Sequence, residues 1–170
     1  MKRILLLVFI SSLSVSAQKF CYVDIDYVLT NIREYQDAQH ELDIMSKRWE
    51  EQMDKLKIGI DEMYRIYYAE EVLYTADIKE KKMAAIKVKE KELNIYTQSK
   101  FGYKGELFTK RQELIKPIQD AVYEAIEKLA QEKRFDFVLD KSAGVTILYA
   151  KPSYDKSDLV LKYLSYYRYC

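Results

Sequence analysis

Ten residues, Tyr35, Ala38, Leu42, Met45, Trp49, Met53, Leu56, Ile60, Met63 and Tyr67, recur at steps of three and four along the chain. No other feature limits the possible folds as much. Residues three and four apart share one face of an α-helix, so the spacing predicts a long helix with a seam of coiled-coil type. The doubled step of four, Met45 to Trp49 to Met53, is a stutter that relaxes left-handed supercoiling and predicts a straighter middle. A helix over Ile32–Leu73 would be roughly 60 Å long at 1.5 Å per residue, longer than a small domain is wide, and so should project from its body.

The chain must then return. Thr75 before Ala76, Asp77 and Ile78 offers an N-cap hydroxyl and an acidic first turn, which places a hairpin tip just after Leu73 and a second helix from Ala76 to about Lys133. Ile78, Ala85, Ile86 and Leu93 give that helix a narrow apolar face, and the charged run Lys79 to Glu92 reads as solvated surface. Gly102 and Gly105 each weaken a helix by roughly 1 kcal/mol relative to alanine, so a bend is expected there. A tip at this point instead would leave much of a longer first arm unpaired. Leu107, Leu114, Ile118, Val122, Ala125 and Leu129 continue an apolar stripe, interrupted by Pro117, which should kink the helix.

The ends of the chain have β character. Phe20–Ile25 reads as a buried strand, with a helical turn over Asp26–Leu29; Phe135–Leu139 and Val145–Ala150 read as a β-hairpin closed at Lys151-Pro152. Asp155 or Ser157 can cap a last helix that buries Leu159, Val160, Tyr163 and Leu164. The predicted class is α+β: a small β body (19–30 and 134–170) with a helical hairpin (31–133), forming one domain over 18–170. Three short strands and a short helix give an isolated subunit little core, which argues for self-association.

Met1–Ala17 has the layout of a cleavable secretory signal: Lys2 and Arg3, an apolar run Ile4–Ile10, then Val15-Ser16-Ala17. Export is expected, with no transmembrane segment and no acylation at Cys21, which follows Lys19-Phe20. The formal charge of +1 falls to about −1 without Lys2 and Arg3, and the two signs are interspersed, which argues against a dedicated binder of nucleic acid or another polyanion. Cys21 and Cys170 could pair in an oxidising compartment but are too few for a disulfide framework; the favoured reading is a buried strand thiol and a loose terminal one. His40, the single histidine, has no metal-ligating partner at the required spacing, and no phosphate loop, nucleophile elbow or C-x-x-C occurs. No catalytic residue, metal or cofactor is expected, so the chain is not read as an enzyme.

What remains is an apolar, tyrosine-rich tip. Met63, Tyr64, Tyr67, Tyr68, Leu73 and Tyr74 gather there, with Ile66 and Val72 nearby. Such residues either pack the hairpin or offer an adaptable surface for unfolded segments, and different faces can do each.

In order and spacing, FCYVDIDYVL (Phe20 to Leu29), the helical hairpin, FGYKGELFTKRQELIKPIQDAVYEAI (Phe101 to Ile126), RFDFVLDKSAGVTILYA (Arg134 to Ala150) and YDKSDLVLKYL (Tyr154 to Leu164) resemble the Skp/OmpH family of periplasmic chaperones, in a form like that of Bacteroidetes-type bacteria. The resemblance implies a homotrimer with a central β body, whose hairpins surround a cavity that holds unfolded outer-membrane proteins without ATP. It assigns the trimer contacts to Phe20, Tyr22, Val23, Ile25, Phe137, Leu139, Ile147 and Tyr149, and client contacts to the hairpin. Well-known members are strongly basic, whereas this chain is near neutral, so lipopolysaccharide or membrane binding is not carried over. The second reading is a structural or adaptor coiled-coil protein of an envelope complex.

Overall fold

The computed structural model describes residues 18–144 and 147–168; the expected leader, Val145, Thr146 and Cys170 lie outside the described residues. The elements run β1 (Phe20–Val23), α1 (Ile25–Thr30), α2 (Arg33–Glu70), a 3-10 turn (Glu71–Leu73), α3 (Ala76–Phe101), α4 (Glu106–Leu114), α5 (Lys116–Lys133), β2 (Phe137–Asp140), a second 3-10 turn (Pro152–Tyr154) and α6 (Ser157–Arg168). They divide into two compact units, Thr30–Asp120 and the two chain ends, up to Leu29 and from Ala121.

The first unit is the helical hairpin. All ten seam positions of α2 are buried or half-buried, with Ala38, Leu42, Trp49, Ile60 and Tyr67 the most enclosed. The tip falls where the sequence places it: Thr75 caps α3, its hydroxyl accepting from the Ile78 N–H at 3.4 Å. On α3 the packed face keeps Ile86 and Leu93 of the expected four residues and loses the other two. Ile78 and Ala85 are exposed, and the buried Ile86 is flanked by half-buried Lys79, Met83, Leu93, Thr97 and Lys100. The steps of three and four persist there, but lysine, threonine and the exposed Glu90 occupy positions of the series. Polar atoms on this face find local partners: the Thr97 hydroxyl lies 3.3 Å from the Met53 sulfur, and the Lys100 ammonium lies 5.0 Å from the Trp49 ring centroid.

The glycine pair ends α3 in a tight turn. The Gly105 N–H donates to the Gly102 carbonyl at 2.8 Å, and Lys104 adopts a left-handed φ of 57°. Phe101 meets Trp49 edge-on, with centroids 5.9 Å apart, and Lys100 pairs with Glu106 across the turn. Pro117 kinks nothing in mid-helix: the break lies at Ile115, and proline occupies the first turn of α5, where its missing N–H is not needed.

In the second unit β1 and β2 pair in parallel, Phe20 opposite Phe137 through Val23 opposite Asp140. A parallel pair needs a long connection, and the intervening helices supply it. The expected β-hairpin is corrected here: residues 147–150 form no strand. One cause is visible. Asp140 Oδ1 accepts from the Ser142 N–H at 2.8 Å and from its hydroxyl at 2.7 Å, a local turn that leads the chain off the end of β2. The other edge of β1 is engaged by Asp155, opposite Tyr22, and the Lys156 N–H donates to the Tyr22 carbonyl at 3.0 Å.

A polar knot fixes the ends of these elements. Asp24 caps α1 by accepting from the Tyr27 N–H at 3.0 Å, and its own N–H donates to the Ser157 hydroxyl at 2.9 Å. That hydroxyl donates to Asp155 at 2.7 Å, so the buried Ser157 is satisfied on both sides. Of the two caps proposed for the last helix, Asp155 serves, accepting from the Ser157 N–H at 2.9 Å, while the Ser157 hydroxyl ties the helix start to Asp24 instead. Around the knot the core consists of Cys21, Tyr22, Val23, Val28, Leu29, Val122, Ala125, Leu129 and Val160, all buried. Burial raises the Cys21 thiol above its ordinary pKa, as a buried strand cysteine requires.

Candidate functional site

The hairpin tip sorts its aromatic residues between core and surface. Ile60, Tyr67 and Ile86 form a buried cluster, against which Met63, Tyr64, Tyr74, Met83 and Leu93 pack. Of the six residues expected at the site, Tyr67 is thus interior, while Met63, Tyr64 and Tyr74 are half-buried. Tyr68 and Leu73 face outward, 64% and 78% exposed. Val72, at 90%, and Ile66 join them. Ring contacts stiffen the group: Tyr67 meets Tyr68 edge-on at 5.4 Å and Tyr74 at 6.1 Å, and Tyr64 stacks on Tyr68 at 6.0 Å.

The phenols are held by carboxylates. Tyr64 donates to Glu90 at 3.0 Å and Tyr74 donates to Glu70. These hydrogen bonds raise both phenols above the ordinary 10.0, because the neutral form alone can donate; for Tyr74 the nearby Lys82 opposes the rise. A phenol whose folded pKa is raised contributes stability below its unfolded pKa and loses it as pH climbs through the folded value. Glu90→Ala is therefore expected to move the Tyr64 titration back toward 10.0, read by ultraviolet difference absorbance against Tyr64→Phe. An unchanged titration would remove Glu90 as the cause.

Between the two helices near the tip lies a recess of about 260 Å³, lined by Met63, Ile66, Tyr67, Lys82, Ala85 and Ile86. Beyond it, Ile44, Ile58, Val88, Ile95 and Phe108 are exposed singly along the hairpin. The charges between them pair locally, Lys81 with Asp77 and Lys89 with Glu92, so the charged run is a solvated face of little energetic weight.

In the sheet unit the eight residues assigned to self-association also divide. Tyr22 and Val23 are buried in their own chain, Ile25 and Ile147 are half-buried, and Phe20, Phe137, Leu139 and Tyr149 are exposed. A second recess, of about 270 Å³, is lined by Phe20, Tyr22, Leu139, Ile147, Tyr149, Ala150, Lys151 and Tyr154. Tyr154, which sequence reasoning missed, stacks on Phe20 at 5.1 Å with the rings 4° from parallel. The signal was faint: an aromatic between Pro152 and an acidic cap reads as loop.

Among the described residues no cluster of histidine, cysteine or carboxylate could hold a metal, and no helix is long and apolar enough to cross a membrane. Among the described residues the chain is a long two-helix hairpin joined in sequence to a two-stranded parallel sheet, a class of protein built around an extended helical arm. The model of the family described as Outer membrane protein (OmpH-like) matches residues 19–164, and the chain belongs to that family. Its fold is similar to that of a protein of Caulobacter crescentus, described as a candidate outer membrane chaperone (OmpH-like). The TM-score is 0.67 at 14% identity, over 89% of this chain and 86% of the other. No curated protein matches the chain at a significant level.

Proposed function

We propose that the protein is an ATP-independent holdase of the periplasm, which binds unfolded outer-membrane proteins and keeps them from aggregating. The observation that carries this reading is the distribution of exposed apolar side chains over the hairpin: Tyr68, Val72 and Leu73 at the tip, and isolated isoleucines, valine and phenylalanine along its length. Many separate apolar contacts suit a client without a fixed shape, and rigid tyrosines beside methionines tolerate varied partners. Membership of the OmpH-like family supports the same role. Self-association through Phe20, Phe137, Leu139, Ile147 and Tyr149 belongs to the proposal; the outer edge of β2 carries no strand among the described residues, and exposed edges recruit further chains.

The test is sedimentation of the protein with an outer-membrane barrel protein diluted from urea. A discrete soluble complex larger than the protein alone is the expected result, and it should persist as salt rises. Interspersed charge leaves apolar contact as the source of affinity, and screening acts on exposed charges beyond about 10 Å at 0.1 M salt. Loss of most binding at moderate salt would overturn the apolar mechanism. A client that precipitates while the protein keeps its own mass would favour an adaptor with a folded envelope partner.

A further inference from the structure

The geometry points to the recess near the tip as a site for the C-terminal residue of an unfolded chain, its apolar side chain seated between α2 and α3 and its carboxylate on Lys82. This rests on the client-holding reading and gives it one defined contact. The lining is mostly apolar, with Tyr67 and Ile86 buried and Met63 half-buried, and Ala85 is its smallest side chain. One charged residue, Lys82, lines it.

The lysines of this stretch differ in what engages them. Lys79 is held by Glu71 at 3.1 Å and Lys81 by Asp77 at 2.8 Å. The Lys82 ammonium instead lies 4.8 Å from the Tyr74 ring centroid and beside the Tyr74 phenol, and among the described residues it forms no direct ion pair with a carboxylate. An apolar pocket with one cation at its rim is complementary to an apolar group joined to one anion. A chain terminus presents both on a single residue, so it occupies the recess without a second residue being ordered, which lowers the entropic cost of binding.

The probe is a short labelled polar peptide ending in phenylalanine, prepared as free acid and as C-terminal amide, with binding followed by fluorescence anisotropy. The free acid is expected to bind about three- to fivefold more tightly at low salt, the range of an exposed ion pair. Lys82→Gln should erase that ratio, and Ala85→Leu should weaken both forms by filling the recess. Equal binding of acid and amide, or a ratio that survives Lys82→Gln, would overturn the inference. So would an amidated peptide with an internal Phe-Asp pair that binds as well as the free acid. Retention of an unfolded barrel protein, measured on the same variants, separates the two readings: discrimination without retention keeps the recess and removes the holdase role, whereas retention without discrimination removes the recess alone.

Discussion

Gly102→Ala is expected to destabilise the protein by about 2–3 kcal/mol, while Gly59→Ala stabilises it by about 1 kcal/mol. Both replace hydrogen by methyl; the surroundings set the sign. At Gly102 an added Cβ would stand 2.4 Å from the Gln98 carbonyl oxygen and 3.1 Å from its carbon. Those atoms belong to the last turn of α3, where the Gly102 N–H already bonds to that carbonyl at 3.0 Å, so relief requires backbone movement. Gly102 itself has φ of −71°, a value open to alanine, and the penalty is therefore one of contact alone. At Gly59, inside α2, nothing lies within 4 Å of the new methyl, and only the helix-propensity gain remains. Urea denaturation of the two variants provides the check. Equal shifts would mean that the turn relaxes freely and that the glycines serve only as a flexible joint.

That distinction lay beyond the sequence. Two glycines three apart announced a break in the helix, and a break is present, but glycine is used equally for freedom and for close approach. The first arm was legible because its seam is almost wholly apolar, Tyr35 through Tyr67, and burial follows the series residue by residue. The return arm was only half legible, Ile86 and Leu93 but not Ile78 or Ala85, because Lys79, Glu90, Thr97 and Lys100 fall in the same series as Met83, Ile86 and Leu93. Hydrophobic periodicity reports which residues are oily, whereas long amphipathic side chains can cover a seam with their stems.

The sheet was half legible for a related reason. Aromatic and β-branched runs marked β1 and β2, yet two apolar runs separated by Asp140–Gly144 look alike as a hairpin or as a strand followed by an extended edge. The choice is made by the Asp140 turn, a polar contact that carries no periodic signal. Leu148 and Tyr149 are left 94% and 84% exposed, which fits the view that the sheet unit is completed by other copies.

Leu129→Ala tests that view through stability. Leu129 is fully buried, on the stripe of α5 that also places Val122 and Ala125 in the core. Truncating such a residue removes its burial and leaves a cavity, about 3 kcal/mol for a leucine in a site that relaxes only in part. In a core this small the loss should lower the urea midpoint by roughly 1–2 M. If association completes the body, the midpoints of wild type and variant should both rise with protein concentration, because a partner that binds only the folded chain stabilises it by mass action. Phe137→Ser, at an exposed position, should then weaken the concentration dependence while leaving the core intact. Midpoints that stay fixed as concentration increases would mean that each body folds and stands alone, and the exposed edge of β2 would need another partner.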